Sequence, residues 1–345
     1  MRRLRLPGRH LRLRGRHLRL PAQDKDDAGA IAVLVAVLLG GGVLLGMGAL
    51  VIDVGTLAVE REQLQSGADA GAWAIAGACA KDETAPGCVA PDSLATGYAQ
   101  ANVNDGSADA HATVTRCPAG CASVGSADHC PAVPANLRGG IAQVNTSTRN
   151  DDGTTLLPPV LAQALDGGYD GSTVVACSQV VWGVAVRGAA LGVGVGRCKW
   201  AESVGVDPEQ PAGVDVQLTQ GQSCAGAAPP PEFGWMGGEG PAGEEDCAAT
   251  VAVDDVVPGT DGTGCDDALA AARDSGAPAL VPILDQAGPA GFHVVGLGAF
   301  VVTDVTVAGA SRVVTGHFTR MIVPARDALP GPADDYGTAV LTRIN

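Results

Sequence analysis

Between Asp27 and Asp53 the chain runs for 25 residues without one ionisable side chain. A helix that is apolar all round belongs either in the middle of a large core or in lipid. Wound as one helix, residues 28–52 would be about 37 Å long, against roughly 30 Å of hydrocarbon in a bilayer. Three readings compete: a core helix, a cleavable export signal, and a permanent membrane span. The apolar region of an export signal is about 7–15 residues and ends in a small-x-small cleavage site, whereas this run is longer and Asp53 follows it directly. A core helix would carry a polar stripe. The run therefore predicts a transmembrane helix over residues 28–52. Within it, Gly42 and Gly46 form a small-xxx-small pair that lets two helices approach closely in lipid.

Charge sets the expected orientation. Residues 1–27 hold nine basic and three acidic side chains, and the first turns after Asp53 hold Glu60, Arg61, Glu62 and Asp69. The positive-inside bias places the N-terminus in the cytoplasm and everything after Asp53 outside. The basic segment 1–27 repeats GRHLRL at residues 8–13 and 15–20. Such a segment either touches anionic lipid or is plain low-complexity sequence. His10 and His17 recur at equal places in the repeat and do not make a metal site.

From residue 28 onward there are 13 basic and 34 acidic side chains, a net of −21. A part this acidic is a poor nucleic-acid binder, because phosphate neutralisation needs Lys and Arg. All ten cysteines, Cys79, Cys88, Cys117, Cys121, Cys130, Cys177, Cys198, Cys224, Cys247 and Cys265, lie on the side expected to be outside. An even number placed there suits an oxidising compartment and a disulfide framework. Spacing leaves the connectivity open; the pairs proposed are Cys79 with Cys88, Cys177 with Cys198, and Cys247 with Cys265.

Beyond Asp53, the residues Leu57, Arg61, Leu64, Ala68, Ala72, Ile75 and Cys79 recur at spacings of three and four. That is one face of a helix. It predicts a helical stalk over residues 53–80 that continues the span and ends near Lys81, with Pro86 soon after.

These two stretches, "GAIAVLVAVLL" and "DVGTLAVEREQLQSGADAGAWAIA", resemble the N-terminal region of the TadE/TadG-like family of Flp (Tad) pilus-assembly proteins. The positions that carry the likeness are Asp53, Gly55, Arg61, Leu64, Gln65, Ala68, Asp69 and Ala70. The resemblance implies a bitopic protein linked to pilus biogenesis or secretion, and it does not imply an enzyme. "CSQVVWG", "CKW", "EFGWM" and "ALVPILD" resemble exported parts of such proteins more weakly. The chain departs from the family in two places. Pilin-like members carry a Glu five residues after the cleaved junction, where Leu34 stands here, and the Asp-x-Ser-x-Ser metal motif of some TadG proteins has no counterpart.

Residues 81–345 read as an extracytoplasmic α+β domain with a largely antiparallel, disulfide-stabilised sheet. Residues 93–102 read as a short helix, and 110–117, 141–148, 171–186 and 189–200 as strands. Residues 207–264, rich in Pro, Gly and acid, read as loop. A helix is expected at 267–274 and a buried strand at 279–284. A long antiparallel hairpin is expected to turn at residues 308–311.

The candidate chemistry is thin. Cys117-x3-Cys121-x8-Cys130 with His129 offers one pair at zinc-like spacing, and disulfides are the favoured reading. Three Asp-rich turns, at 102–109, 150–154 and 261–267, match no EF-hand order and read as turns. His111, His293 and His317 have no nucleophile elbow near them. No Gly-x-x-x-x-Gly-Lys loop is present. Asn145-Thr146-Ser147 matches a glycosylation sequon. The expectation is a cofactor-free, single-pass component or accessory of Flp pilus assembly, contacting the bilayer and other pilus or envelope proteins. The alternative is an exported binding or adhesive domain that borrows this anchor and has no role in pili.

Overall fold

The computed structural model describes residues 25–40, 42–117, 130, 139–150, 152–160, 170–204, 213–225, 229–236, 247–262, 264–308, 311–325, 328–331 and 333–344. The basic repeat, Cys121, His129 and parts of 207–264 lie outside these. The chain divides into two compact units, Met1–Gly55 with Pro159–Tyr169, and Thr56–Pro158 with Asp170–Asn345. Each is described by itself.

The first unit contains helix α1 (Lys25–Gly40) and residues 43–55 of helix α2 (Val43–Lys81). The continuous helix expected over residues 28–52 is corrected here. Gly42 takes φ 69°, a left-handed conformation that glycine adopts without penalty. The 16 residues of α1 reach about 24 Å, and α2 contributes only residues 43–52 before Asp53. Among the described residues no helix is long and apolar enough to cross a membrane.

The second unit begins with residues 56–81 of α2, then α3 (Pro86–Val89), α4 (Asp92–Asn102), β1 (Ala108–Cys117), β2 (Gly139–Thr148), β3 (Val175–Leu191), β4 (Val193–Gly196) and α5 (Arg197–Val204). Four short strands follow: β5 (Val216–Thr219), β6 (Phe233–Trp235), β7 (Ala248–Ala252) and β8 (Val256–Val257). The rest is α6 (Cys265–Ser275), β9 (Ala279–Gly288), β10 (Gly291–Ala308), β11 (Ser311–Thr319), β12 (Met321–Val323), β13 (Ala328–Gly331) and β14 (Thr338–Ile344).

These strands form two largely antiparallel sheets, so the α+β expectation holds for this unit. One sheet runs β1-β2-β3-β14-β12, with β7 and β13 also on β3. The other runs β5-β11-β10-β9-β4-β6, with β8 on β10. The 17-residue β3 is the spine of the first sheet. Its first half lies between β2 and β14, and its second half between β13 and β7. The outer strand β1 is blunted by α4, for Asp92 Oδ1 accepts the Ala112 N–H at 2.8 Å. An edge capped in this way resists pairing with another chain.

Three apolar layers hold the unit. Ala185, Val251, Val323 and Val340 of the first sheet meet Leu280, Leu284, Val294 and Leu297 of the second. On the second sheet's other face, Val281, Ile283, Phe300, Val302, Val314 and Phe318 pack with Val204 of α5 and Leu269 of α6. Strand β9 therefore buries both faces, which is why it reads as a continuous apolar run. Phe300 and Phe318 face each other across β10 and β11 with ring centroids 4.9 Å apart. The third layer is α2 on the first sheet. Ala68, Ala72, Ile75, Ala76 and Ala80 pack against Ala142, Val144, Val180, Trp182, Ala339 and Leu341. The stalk expected over residues 53–80 is helical, and from Thr56 onward it belongs to the β-rich unit, because its small side chains make a flat face a sheet can reach.

Two further expectations are corrected. Residues 207–264 are not all loop: they hold β5 to β8, runs of two to five residues too short for alternation to register. Residues 189–200 are not one strand, since Arg197 starts α5.

The closest helix crossing gives a test. A Cβ on Gly67 would lie 2.8 Å from Ala99 Cα of α4, whereas one on Gly77 meets nothing nearer than 3.9 Å. Gly67→Ala is expected to destabilise by about 1–3 kcal/mol through overpacking. Gly77→Ala is expected to be neutral or to stabilise by up to about 1 kcal/mol through helix propensity. Thermal unfolding of the two variants checks this.

Candidate functional site

The sequence features that point to function lie in the N-terminal helical stretch, which has two environments. In the first unit, every residue from 29 to 40 is exposed. The open side chains include Ile31, Val33, Leu34, Val37 and Leu39. After the break, the Gly46 N–H donates to Gly42 O at 2.7 Å in the first turn of α2. Gly42 and Gly46 therefore start a helix instead of sharing the middle of one. Met47, Leu50, Val51, Ile52 and Val54 are again exposed.

Ala49 and Asp53 are the exceptions. They lie one turn apart on one face, and Asp53 is only 7% exposed. Its Oδ1 accepts the backbone N–H of Val160 at 2.8 Å. The first ionisable group after the apolar run thus satisfies a backbone donor 107 residues away. Gly55 is exposed, with open space where a Cβ would stand.

In the second unit the motif residues turn inward. Arg61 is exposed. Leu64 is fully buried with Ala99, Val103, Ala108 and Ala176, and its carbonyl accepts the Thr146 hydroxyl at 3.0 Å. Gln65 Nε2 donates to Asp69 Oδ1 and to Cys177 O, both at 2.9 Å. Ala68 lies at the centre of the helix–sheet contact, and Ala70 is half-buried beside it. Asp69 Oδ2 pairs with Arg343 Nη1 of β14 at 2.7 Å. The partners Val160 and Arg343 sit far away in sequence, in segments whose spacing carries no sign of them.

The cysteines fasten this frame. Cys79 bonds Cys88, joining the end of α2 to α3, and Cys247 bonds Cys265. The proposed Cys177–Cys198 pair is corrected: Cys177 bonds Cys130, and Cys198 bonds Cys224. Between Cys177 and the end of β3 lie about 45 Å of extended strand, so Cys177 and Cys198 lie beyond reach of each other. Cys117 is disulfide-bonded as well.

The remaining candidates take structural roles. His111, His293 and His317 lie on β1, β10 and β11, each beside a carboxylate: Asp92 at 3.2 Å, Asp285 at 2.7 Å and Asp215 at 2.8 Å. Asp105 and Asp152 accept the N–H two residues on, from Ser107 and Thr154, as turn formers do. Asp266 binds Arg312 through both its oxygens. Asn145 of the sequon sits half-buried in β2, where its Oδ1 accepts from Gln143 Nε2 at 2.8 Å. Among the described residues no three His, Cys, Asp or Glu side chains are placed to hold a metal ion.

Two predictions follow from the docked part of α2. Asp69→Ala, which strips Arg343 and Gln65 of a partner, is expected to cost about 1–3 kcal/mol. Arg61→Ala on the exposed face is expected to stay within about 0.5 kcal/mol, as chemical denaturation can measure. The Glu60 carboxyl is pushed above its ordinary 4.5 by burial, then by Asp105, against a lowering hydrogen bond from Thr148. A raised acid favours the folded state while protonated. Its penalty is absent below the unfolded value and complete once pH exceeds the folded one. Glu60→Gln is therefore expected to raise Tm at pH 7, with the gain vanishing below pH 4.5.

The comparisons with known proteins bear on this same stretch. A family model described as putative Flp pilus-assembly TadE/G-like matches residues 29–80. No curated protein and no solved structure matches the chain. The matched segment begins in α1 and ends one residue before the last of α2. The N-terminal helical stretch that carries Asp53, Gly55, Arg61, Leu64, Gln65, Ala68, Asp69 and Ala70 is thus similar to the family described as putative Flp pilus-assembly TadE/G-like.

Proposed function

We propose that this chain is a non-enzymatic component or accessory of Flp pilus assembly, held in the cell membrane by the apolar stretch 28–52. The basic N-terminus lies in the cytoplasm and the β-rich unit outside. The observation that carries this reading is the family match over residues 29–80, joined to a helix α1 that is apolar and exposed on every side from residue 29 to 40. A helix apolar all round needs a core or lipid around it, and among the described residues no core encloses this one. The stretch enters lipid as two helical pieces joined at Gly42, and a bend at glycine within a membrane is tolerated. The cysteine bonds support an oxidising location for the β-rich unit. The exposed apolar helices and the exposed face of α2 around Arg61 are the surfaces that pilus or envelope partners would meet.

The test is made on intact cells producing the full chain. Added protease is expected to remove the β-rich unit while sparing the N-terminus, and the chain is expected to fractionate with membranes. Loss of the gene is expected to reduce Flp pili on the cell surface. A soluble cytoplasmic chain with reduced thiols would refute the reading. Normal pili with lost surface binding would favour a membrane-anchored adhesive domain unrelated to pili.

A further inference from the structure

The contact between Asp53 and Val160 has a consequence for the membrane boundary. Asp53 is the first ionisable residue after the uncharged run. In a chain anchored by residues 28–52, it marks the depth at which hydrocarbon gives way to headgroups, since a carboxylate deeper in the hydrocarbon is costly. Its side chain is not turned out to water: it is 7% exposed and takes the Val160 N–H at 2.8 Å. That bond fixes the Val160 backbone at the same depth. Around Asp53 on α2, Val51, Ile52 and Val54 are exposed. Val160, following Pro158 and Pro159, holds its own side chain 60% exposed at that level. A lone exposed valine on a protein surface needs no explanation; this one is tied by its backbone to the foot of an apolar helix.

We infer that Val160 is a second lipid-contacting point of the chain, set in the interfacial layer by Asp53. This rests on the proposed membrane anchoring. The bilayer is touched by residues 28–52 and again by a residue reached more than a hundred positions later. Asp53 then acts as a positioning residue. By accepting the Val160 N–H it satisfies a backbone donor that is expensive to leave open near hydrocarbon, and it holds an apolar side chain against the acyl boundary. Val160 thereby ties the membrane-side end of α2 to the surface of the bilayer.

The experiment places a small fluorescent amino acid at residue 160, 34 or 307 of the full chain, reconstituted in phosphatidylcholine vesicles with brominated acyl chains. Leu34 reports the anchor. Val307, at 53% exposure, is a similarly exposed residue on the β10–β11 hairpin. The expected result is quenching at 34 and 160 and none at 307. Asp53→Ala is expected to weaken quenching at 160 and leave 34 unchanged, while Asp53→Asn, which keeps the accepting oxygen, restores it. Quenching at 34 without quenching at 160 overturns the inference and leaves the anchoring intact. Equal quenching at 307 also overturns it, because exposure alone would then account for the signal. No quenching at 34 overturns the anchoring itself, and the inference with it.

Discussion

The contact on which this structure depends is the bed of small side chains between α2 and the first sheet. Ala68, Ala72, Ala76 and Ala80 bring the helix close enough for its backbone and polar groups to reach the strands. At that distance Thr146 bonds Leu64 O, Gln65 bonds Cys177 O, and Asp69 meets Arg343. Larger residues would bury more area, at about 25 cal/mol per Å2, but would hold the helix off and leave these polar groups without partners. The burial is modest per residue and is complemented by hydrogen bonds and by the Cys79–Cys88 link at the end of the helix.

The motif residues of the TadE/G-like segment divide along this line. Leu64, Gln65, Ala68 and Asp69 are spent on docking the helix. Asp53 does related work in the other unit, where it satisfies the Val160 N–H. Arg61 and Gly55 remain exposed. A motif read as the mark of a pilus-assembly family is therefore, for most of its residues, an instruction for how a helix is seated. What is left open is the apolar surface before Asp53 and the solvent face of α2.

Legibility in the sequence tracked how far a signal depends on near neighbours. The β10–β11 hairpin was plain, because two alternating runs flank a short turn and pair from Ala308–Ser311 to Ala299–Thr319, with one register shift between Val302 and Asp304. The strand β9 was plain for the opposite reason, since both its faces are buried and its residues are apolar in succession. The short strands β5 to β8 gave no period to read, and β14, which closes the sheet beneath α2, lay unremarked in "TAVLTRI". The apolar run was read correctly as uncharged and incorrectly as one helix, for glycine permits a break without requiring it. The Ala-rich face was visible, but its partner sheet was not, so the sequence showed a helical stalk without the sheet it rests on. Cys177 illustrates the same limit: its partner Cys130 is chosen by strand geometry that spacing does not encode.

The pairing of Asp69 with Arg343 joins α2 to β14. Ala339 and Leu341 of that strand form part of the floor on which α2 rests. The two elements are far apart in sequence, and non-local contacts of this kind are slow to form. Until β14 is in place the alanine face of α2 lacks part of its floor. The seat of α2 is thus set by a strand that lies far from it in sequence, so the docking of this helix reports whether the whole first sheet has formed.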